Sequence, residues 1–213
     1  MDFEQKLNKY LLTQNNEMAK FHKPLADNEF FVTQVAMCPR LMFLIKKFGY
    51  KYNQDISKFF QVGNIFHKFI QDNIFDKDIE QEASCIIKDK GLLIRGRIDG
   101  LTKDSIIELK SCSYLPKLPD GKYIQQLNLY LSQHKEKKGH LIYVSKFNLN
   151  SLQFDFEFDQ ELYDISLRKF KKVHNYFKSN ELPPVEEPTH ENSGFDCNCT
   201  EIYEKEIKKE GYK

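Results

Sequence analysis

Hydrophobic spacing divides the chain into helical and extended stretches. From Val35 to Gly49 the segment VAMCPRLMFLIKKFG places apolar residues three and four apart and stops at a glycine. This predicts a helix with Thr33 as its cap and Pro39 in its first turns, where a missing N–H is tolerated. A further helix is expected over roughly 55–75, with Phe59, Val62, Phe66, Phe69 and Ile70 as its buried stripe. Ahead of both, residues 3–20 suit a polar helix, interrupted by Pro24.

The period then shortens. EASCIIKD (82–89), LLIRGRIDGL (92–101) and SIIELKSCS (105–113) are short and β-branched, with turn signals at Lys90-Gly91 and Lys103-Asp104. They predict three strands in a meander. KYIQQLNLYLSQHKEK predicts a helix near 120–136 closed by Gly139; HLIYVSKF and LQFDFEF predict two more strands. Asp159 is placed to cap a long helix to about Ser179, and Pro183, Pro184 and Pro188 end regular structure. Helices, then strands, helix, strands and helix imply an α+β fold, a mixed sheet with helices packed on it.

Composition narrows the class. The 213 residues suit one domain with appendages: an N-terminal extension (1–30), a core (31–182) and a C-terminal tail (183–213). A net charge of +1 excludes a globally basic surface, so nucleic-acid binding would rest on a local patch. No apolar run approaches the ~20 residues of a membrane span. The polar N-terminus is unlike a signal peptide, and the expected location is the cytoplasm. Five cysteines, an odd number, argue against a disulfide framework.

The candidate chemistry lies on the second and third of the meander strands. Glu108 and Lys110 are two apart on a strand and point to one face, with Leu109 opposite. Asp99 can reach that face if its strand pairs with theirs. Two carboxylates and an ammonium in one cleft suit Mg²⁺ or Mn²⁺ chemistry on a phosphodiester. A lone E-x-K is usually a solvated strand face. Here Ile106, Ile107 and Leu109 mark a central strand, where two charges on one face need a reason.

The ordered set G-N-I-F-H (63–67), G-R-I-D-G (96–100), I-I-E-L-K (106–110) and Q-L-N-L-Y (126–130) resembles the RecB-like nucleases of the PD-(D/E)XK superfamily. It is most similar to the CRISPR-associated iron–sulfur exonucleases and their solo viral and archaeal relatives. The resemblance covers roughly residues 30–200 and implies a restriction-endonuclease-like mixed sheet flanked by helices. It implies His67, Asp99, Glu108 and the carbonyl of Leu109 as metal ligands, Lys110 as the catalytic lysine, and Gln126 and Tyr130 on a helix face turned to the active site. Glu82 is a weaker candidate.

The implied activity is Mg²⁺- or Mn²⁺-dependent DNA hydrolysis, as an exonuclease favouring single strands or free ends. The alternative is a catalytically weak DNA-binding or partner subunit of a CRISPR-adaptation, viral replication or repair complex. Tyr114, Lys117, Lys122 and Tyr123 interleave aromatics with charge in a way that suits strand tracking, as well as a solvated loop.

The resemblance also implies an iron–sulfur site at Cys38, Cys197 and Cys199. Here the chain departs from the family: after C-x-C no cysteine follows, and a cubane cluster usually wants four thiolates. A modified or lost site is expected. His190 or an acidic residue could complete it, for zinc as an alternative. Cys85 and Cys112 are expected as small buried hydrophobes.

Overall fold

A computed structural model describes residues 2, 4–11, 13, 25–51, 54–185 and 199–212. Pro24, Pro188, His190, Cys197, residues 14–20 of the predicted first helix and the Phe59 side chain lie outside the described residues. Residues 4–11 are helical.

The elements in order are β1 (Glu29–Phe31), a 3-10 turn (Val32–Ala36), α1 (Pro39–Phe48), α2 (Gln54–Asn73), β2 (Glu80–Asp89), β3 (Leu92–Leu101), β4 (Ser105–Cys112), α3 (Gly121–Leu131), β5 (Lys138–Ser145), β6 (Ser151–Phe156), α4 (Gln160–Ser179), α5 (Cys199–Ile202) and α6 (Glu204–Lys209). The boundary expected at residue 30 falls inside β1. Tyr203 and Ile207 of the tail are buried in the same core as the sheet.

Local chemistry explains most boundaries. Proline starts a helix best at its first position, so α1 begins at Pro39 and not at Val35. Cys38 caps it, its sulfur accepting the Leu41 N–H at 3.3 Å. Thr33 falls within the 3-10 turn. Gly49, at φ +82°, ends the helix as expected. Asp159 caps α4 by accepting from Leu162 N, and Asn180 closes it in the left-handed region.

Helix α3 stops at Leu131, short of the expected 136, and Gly139 is not its terminator. Gly139 lies in β5, where a Cβ would come within 2.9 Å of Leu127 and Leu131, so it lets α3 lie close on the sheet.

The six-stranded sheet is mixed. β2–β3, β3–β4 and β5–β6 are antiparallel, whereas β4–β5 and β1–β3 are parallel. One edge of β3 carries β2. The other carries β1 at Leu93–Arg95 and β4 only at Gly100 and Leu101. The expected meander therefore forks: β3 and β4 share two residue pairs and then diverge. Among the described residues no strand lies beside that edge of β3 between Arg95 and Gly100, and the candidate site sits in this gap.

The main core joins α1, α3, α4 and the 3-10 turn to one side of the sheet; a smaller cluster of Ile70, Ile107, Leu109 and Val144 holds α2 on the other. The stripe expected on α2 is only partly buried. Ile70 is inside and Phe66 half-buried, but Val62 and Phe69 are exposed because the helix meets the sheet over its last turns. No helix among the described residues is long and apolar enough to cross a membrane.

Candidate active site

Asp99 stands where β3 and β4 part. Its Oδ2 accepts the Leu109 N–H at 2.7 Å, so a side chain replaces the backbone acceptor that a continued ladder would have supplied. Its opposite neighbour on β2, Glu82, is skipped by the ladder: pairing passes from Gln81↔Gly100 to Ala83↔Ile98 in one register, and Glu82 adopts φ +53°. Non-glycine residues there carry strain and concentrate near functional sites.

Helix α2 reaches into the gap with two residues one turn apart. His67 Nδ1 lies 3.6 Å from Asp99 Oδ1. Gln71 is buried and its amide donates to the Asp99 carbonyl at 3.1 Å and to Glu82 Oε1 at 2.9 Å. Gln71 was not anticipated from the sequence. Its spacing of four from His67, which puts both on one helix face, is the signal that would have found it.

On β4, Glu108 is 2% exposed in the middle of the sheet. Its Oε1 accepts from Lys110 Nζ at 2.5 Å and from Gln126 Nε2 at 2.7 Å. Lys110 also donates to Gln126 Oε1 at 3.3 Å, and its ammonium sits 4.5 Å above the Tyr123 ring. Burial pushes the Glu108 carboxyl up to about 7, against the pull of Lys110 and with the push of Asp99. Burial works to lower Lys110, but the charges of Glu108 and Asp99 outweigh it and hold the ammonium above its usual range.

The second Glu108 oxygen, Oε2, is buried and has no hydrogen-bond partner among the described residues. A buried carboxylate oxygen without a donor needs a cation or a proton. That oxygen, with Asp99 Oδ1 and the His67 ring nearby, makes a donor set of hard oxygens and one imidazole that fits a divalent cation. As they stand, no three His, Cys, Asp or Glu side chains among the described residues form a ready-made metal site. Lys110 and Gln126 occupy Oε1 of Glu108, and the Leu109 amide occupies Oδ2 of Asp99.

The structure thus gathers Asp99, Glu108, Lys110, Gln126 and His67, with the Leu109 backbone between them. Tyr130 adjoins the same group from the core side, its hydroxyl bonded to the Gln126 side chain and close to the Glu108 and Asp99 charges. It is 1% exposed in the main core, its ring against Gly96 of β3, where a Cβ would lie 2.6 Å from Tyr130 Cε1. Burial first, and then the Glu108 charge, push its hydroxyl well up. Tyr123 was expected on a strand-tracking surface; here it lies under the lysine.

At the N-terminus of α1, the Cys38 and Cys199 sulfurs stand 3.9 Å apart across 161 residues. The tail is also seated at the C-terminal end of α1 by Tyr203, whose hydroxyl donates to the Gly49 carbonyl at 2.6 Å, and by the Lys51–Glu206 ion pair. Cys85 is buried in the core, where burial pushes its thiol up to about 11; Cys112 is half-buried at the end of β4.

No family model matches this chain, and no curated protein matches it. Solved structures do. The crystal structure of SSO0001 is similar at a TM-score of 0.61 and 18% identity, covering 93% of this chain and 94% of that one. LHK-Exo, an alkaline exonuclease from Laribacter hongkongensis solved in complex with dAMP, is similar at a TM-score of 0.51 and 12% identity, covering 72% of this chain and 89% of that one. At these identities the likeness shows the fold: a restriction-endonuclease-like mixed sheet flanked by helices.

Proposed function

We propose that this chain is a metal-dependent nuclease that hydrolyses DNA phosphodiester bonds, an exonuclease acting on single strands or free ends. The observation that carries the reading is the buried Glu108 carboxylate. One of its oxygens is clamped by Lys110 and Gln126, the other has no partner, and it lies beside the strand fork that presents Asp99. Burying a carboxylate is costly unless its oxygens are paired, so an oxygen left without a donor calls for a cation. The fold shared with an exonuclease solved with a mononucleotide supports the same reading.

Asp99, Glu108, His67 and the Leu109 carbonyl would hold Mg²⁺ or Mn²⁺, which supplies charge to the scissile phosphate and acidifies a bound water. The chain's own groups do the rest. Gln71 fixes the backbone of Asp99, and the Leu109 amide fixes its carboxylate, so one oxygen stays turned towards His67. Gln126 orients Glu108 and Lys110 together. Lys110, kept protonated, is a donor for the attacking water or the charge that builds on the phosphate as the P–O bond breaks.

By its motifs the chain stands with the CRISPR-associated exonucleases and their solo relatives, which suggests partners in spacer acquisition, replication or repair. Cys38, Cys197 and Cys199 are read as a metal-thiolate site. Cys38 and Cys199 would supply two of its thiolates, their sulfurs standing 3.9 Å apart. A disulfide would bring the sulfurs to ~2 Å. Iron, sulfide and zinc analysis of anaerobically purified protein separates an iron–sulfur cluster from zinc.

The deciding experiment is digestion of 5′- and 3′-labelled single- and double-stranded DNA with Mg²⁺, with Mn²⁺ and with EDTA. Metal-dependent release of nucleotides from one end is expected. Binding without cleavage under every metal would instead make the chain a partner subunit.

A further inference from the structure

The loops that follow β4 and β5 carry the most exposed aromatic residue of the described chain, Tyr114, and beside it Phe147; they are 82% and 74% exposed. Isolated exposed aromatics are ordinary on protein surfaces. These two are paired, with ring centroids 5.8 Å apart and planes tilted by 43°. They line a shallow cleft of about 350 Å³ together with Ser113, Leu115, Ser145 and Asn148.

The pair is held rigidly. Lys146 N donates to the Cys112 carbonyl at 2.8 Å, and Ser145 Oγ to the Ser113 carbonyl at 3.3 Å, so the two loops are stitched together. The turn that presents Phe147 is closed by Ser145 N donating to the Asn150 carbonyl at 2.9 Å, with Leu149 at φ +59°. Rigid aromatic rings cost little entropy when they bind.

Charge identifies the occupant. From Ser113 to Pro119 and from Ser145 to Ser151 the two loops contain Lys117 and Lys146 and no carboxylate. Neither lysine makes an ion pair among the described residues. Two rings flanked by uncompensated ammonium groups match an unpaired nucleobase and its phosphates; a purely apolar partner would leave the lysines without a counter-charge. The position fits as well. Tyr114 is four residues beyond Lys110 on the same chain, no more than about 14 Å away.

We propose that Tyr114 and Phe147 form a stacking platform for unpaired bases of a single-stranded nucleic acid, with Lys117 and Lys146 as its phosphate contacts. The proposal rests on the nuclease reading for the identity of the polymer, but stacking needs neither metal nor catalysis. It is therefore tested by binding in EDTA. The probes are a labelled oligodeoxythymidine and a strand of the same length made of abasic residues, added to the full chain and to the Tyr114→Ala/Phe147→Ala variant. Both residues are exposed, so the fold should survive, and thermal denaturation checks this.

Wild type is expected to prefer the base-bearing strand by about tenfold, and the variant to lose that preference while binding the abasic strand as wild type does. Equal preference in wild type and variant would overturn the platform, as would the absence of single-strand binding by wild type. A wild-type dimer that the variant converts to monomer in light scattering would also overturn it, assigning the rings to a second copy of the chain. Failure to cleave under any metal, with base-dependent binding intact, would instead remove the nuclease reading and leave the platform standing.

Discussion

Asp99 accepts the Leu109 amide at 2.7 Å at the step where β3 and β4 cease to pair. One carboxylate oxygen thus does the structural work of a backbone carbonyl, and the other is left for chemistry. The two duties can be separated. Asn keeps an acceptor for the amide and loses the charge; Ala loses both. Asp99→Asn should abolish cleavage with little change in thermal stability, whereas Asp99→Ala should also lose roughly 1–3 kcal/mol for the unsatisfied amide. Oligonucleotide digestion and thermal denaturation of both variants check this. Cleavage by Asp99→Asn at the wild-type rate would remove Asp99 from the site.

Lys110→Met removes the ammonium and keeps the stem. It takes away the main partner that lowers the Glu108 carboxyl, which should rise further. Single-turnover cleavage at saturating metal should fall by roughly 10²-fold or more, because the donor is lost where charge builds. Unchanged single-turnover kinetics would make Lys110 merely the counter-ion of Glu108.

Metal affinity should depend on pH through Glu108. Its carboxyl is raised from 4.5 to about 7 in the metal-free protein. Below that value it holds a proton that a cation must displace; above it, none. Mn²⁺ binding followed by calorimetry should therefore weaken by up to about tenfold per unit as pH falls below 7, and flatten above it. The sign for stability follows the same proton. Because the folded state holds it more tightly than the unfolded chain, the contribution of Glu108 to metal-free stability is fully present below 4.5 and is lost as pH rises towards 7. An affinity independent of pH from 6 to 8 would contradict a ligand role for this carboxylate.

Gly96 and Tyr130 test which residues of the motif serve packing. A methyl at Gly96 would meet Tyr130 Cε1 at 2.6 Å and Val32 Cγ2 at 2.8 Å. Gly96→Ala should cost about 1–3 kcal/mol by overpacking. Tyr130→Phe keeps the ring in place and should stay within about 1.5 kcal/mol of wild type. Since Tyr130 is buried, its cleavage rate should fall less than tenfold. A larger loss would show that the hydroxyl takes part in the reaction.

Much of this arrangement was legible in the chain. The alternation of IIELK gives a central strand with Glu108 and Lys110 on one face because the side-chain period of a strand is fixed. Asp159 and Gly49 mark helix ends because their capping chemistry is local. Where two local signals compete, one must yield: apolar spacing runs from Val35, but the first-turn preference of proline sets the start of α1 at Pro39. The α2 stripe was overread because periodicity says which residues share a face, and not how much of the helix meets the sheet.

What the sequence determined by itself, then, is the set of elements and the residues that carry charge into the sheet, since both follow from backbone geometry over a few neighbouring positions. The tertiary structure alone decided the fork between β3 and β4, the support that Gln71 gives Asp99, and the orphaned Glu108 oxygen. It also decided the burial of Tyr130 against Gly96 and the meeting of Cys38 with Cys199. Each of these depends on which strand lies beside which, and on how closely a helix approaches the sheet. Such distances are set by packing between segments far apart in the chain, and no local pattern encodes them.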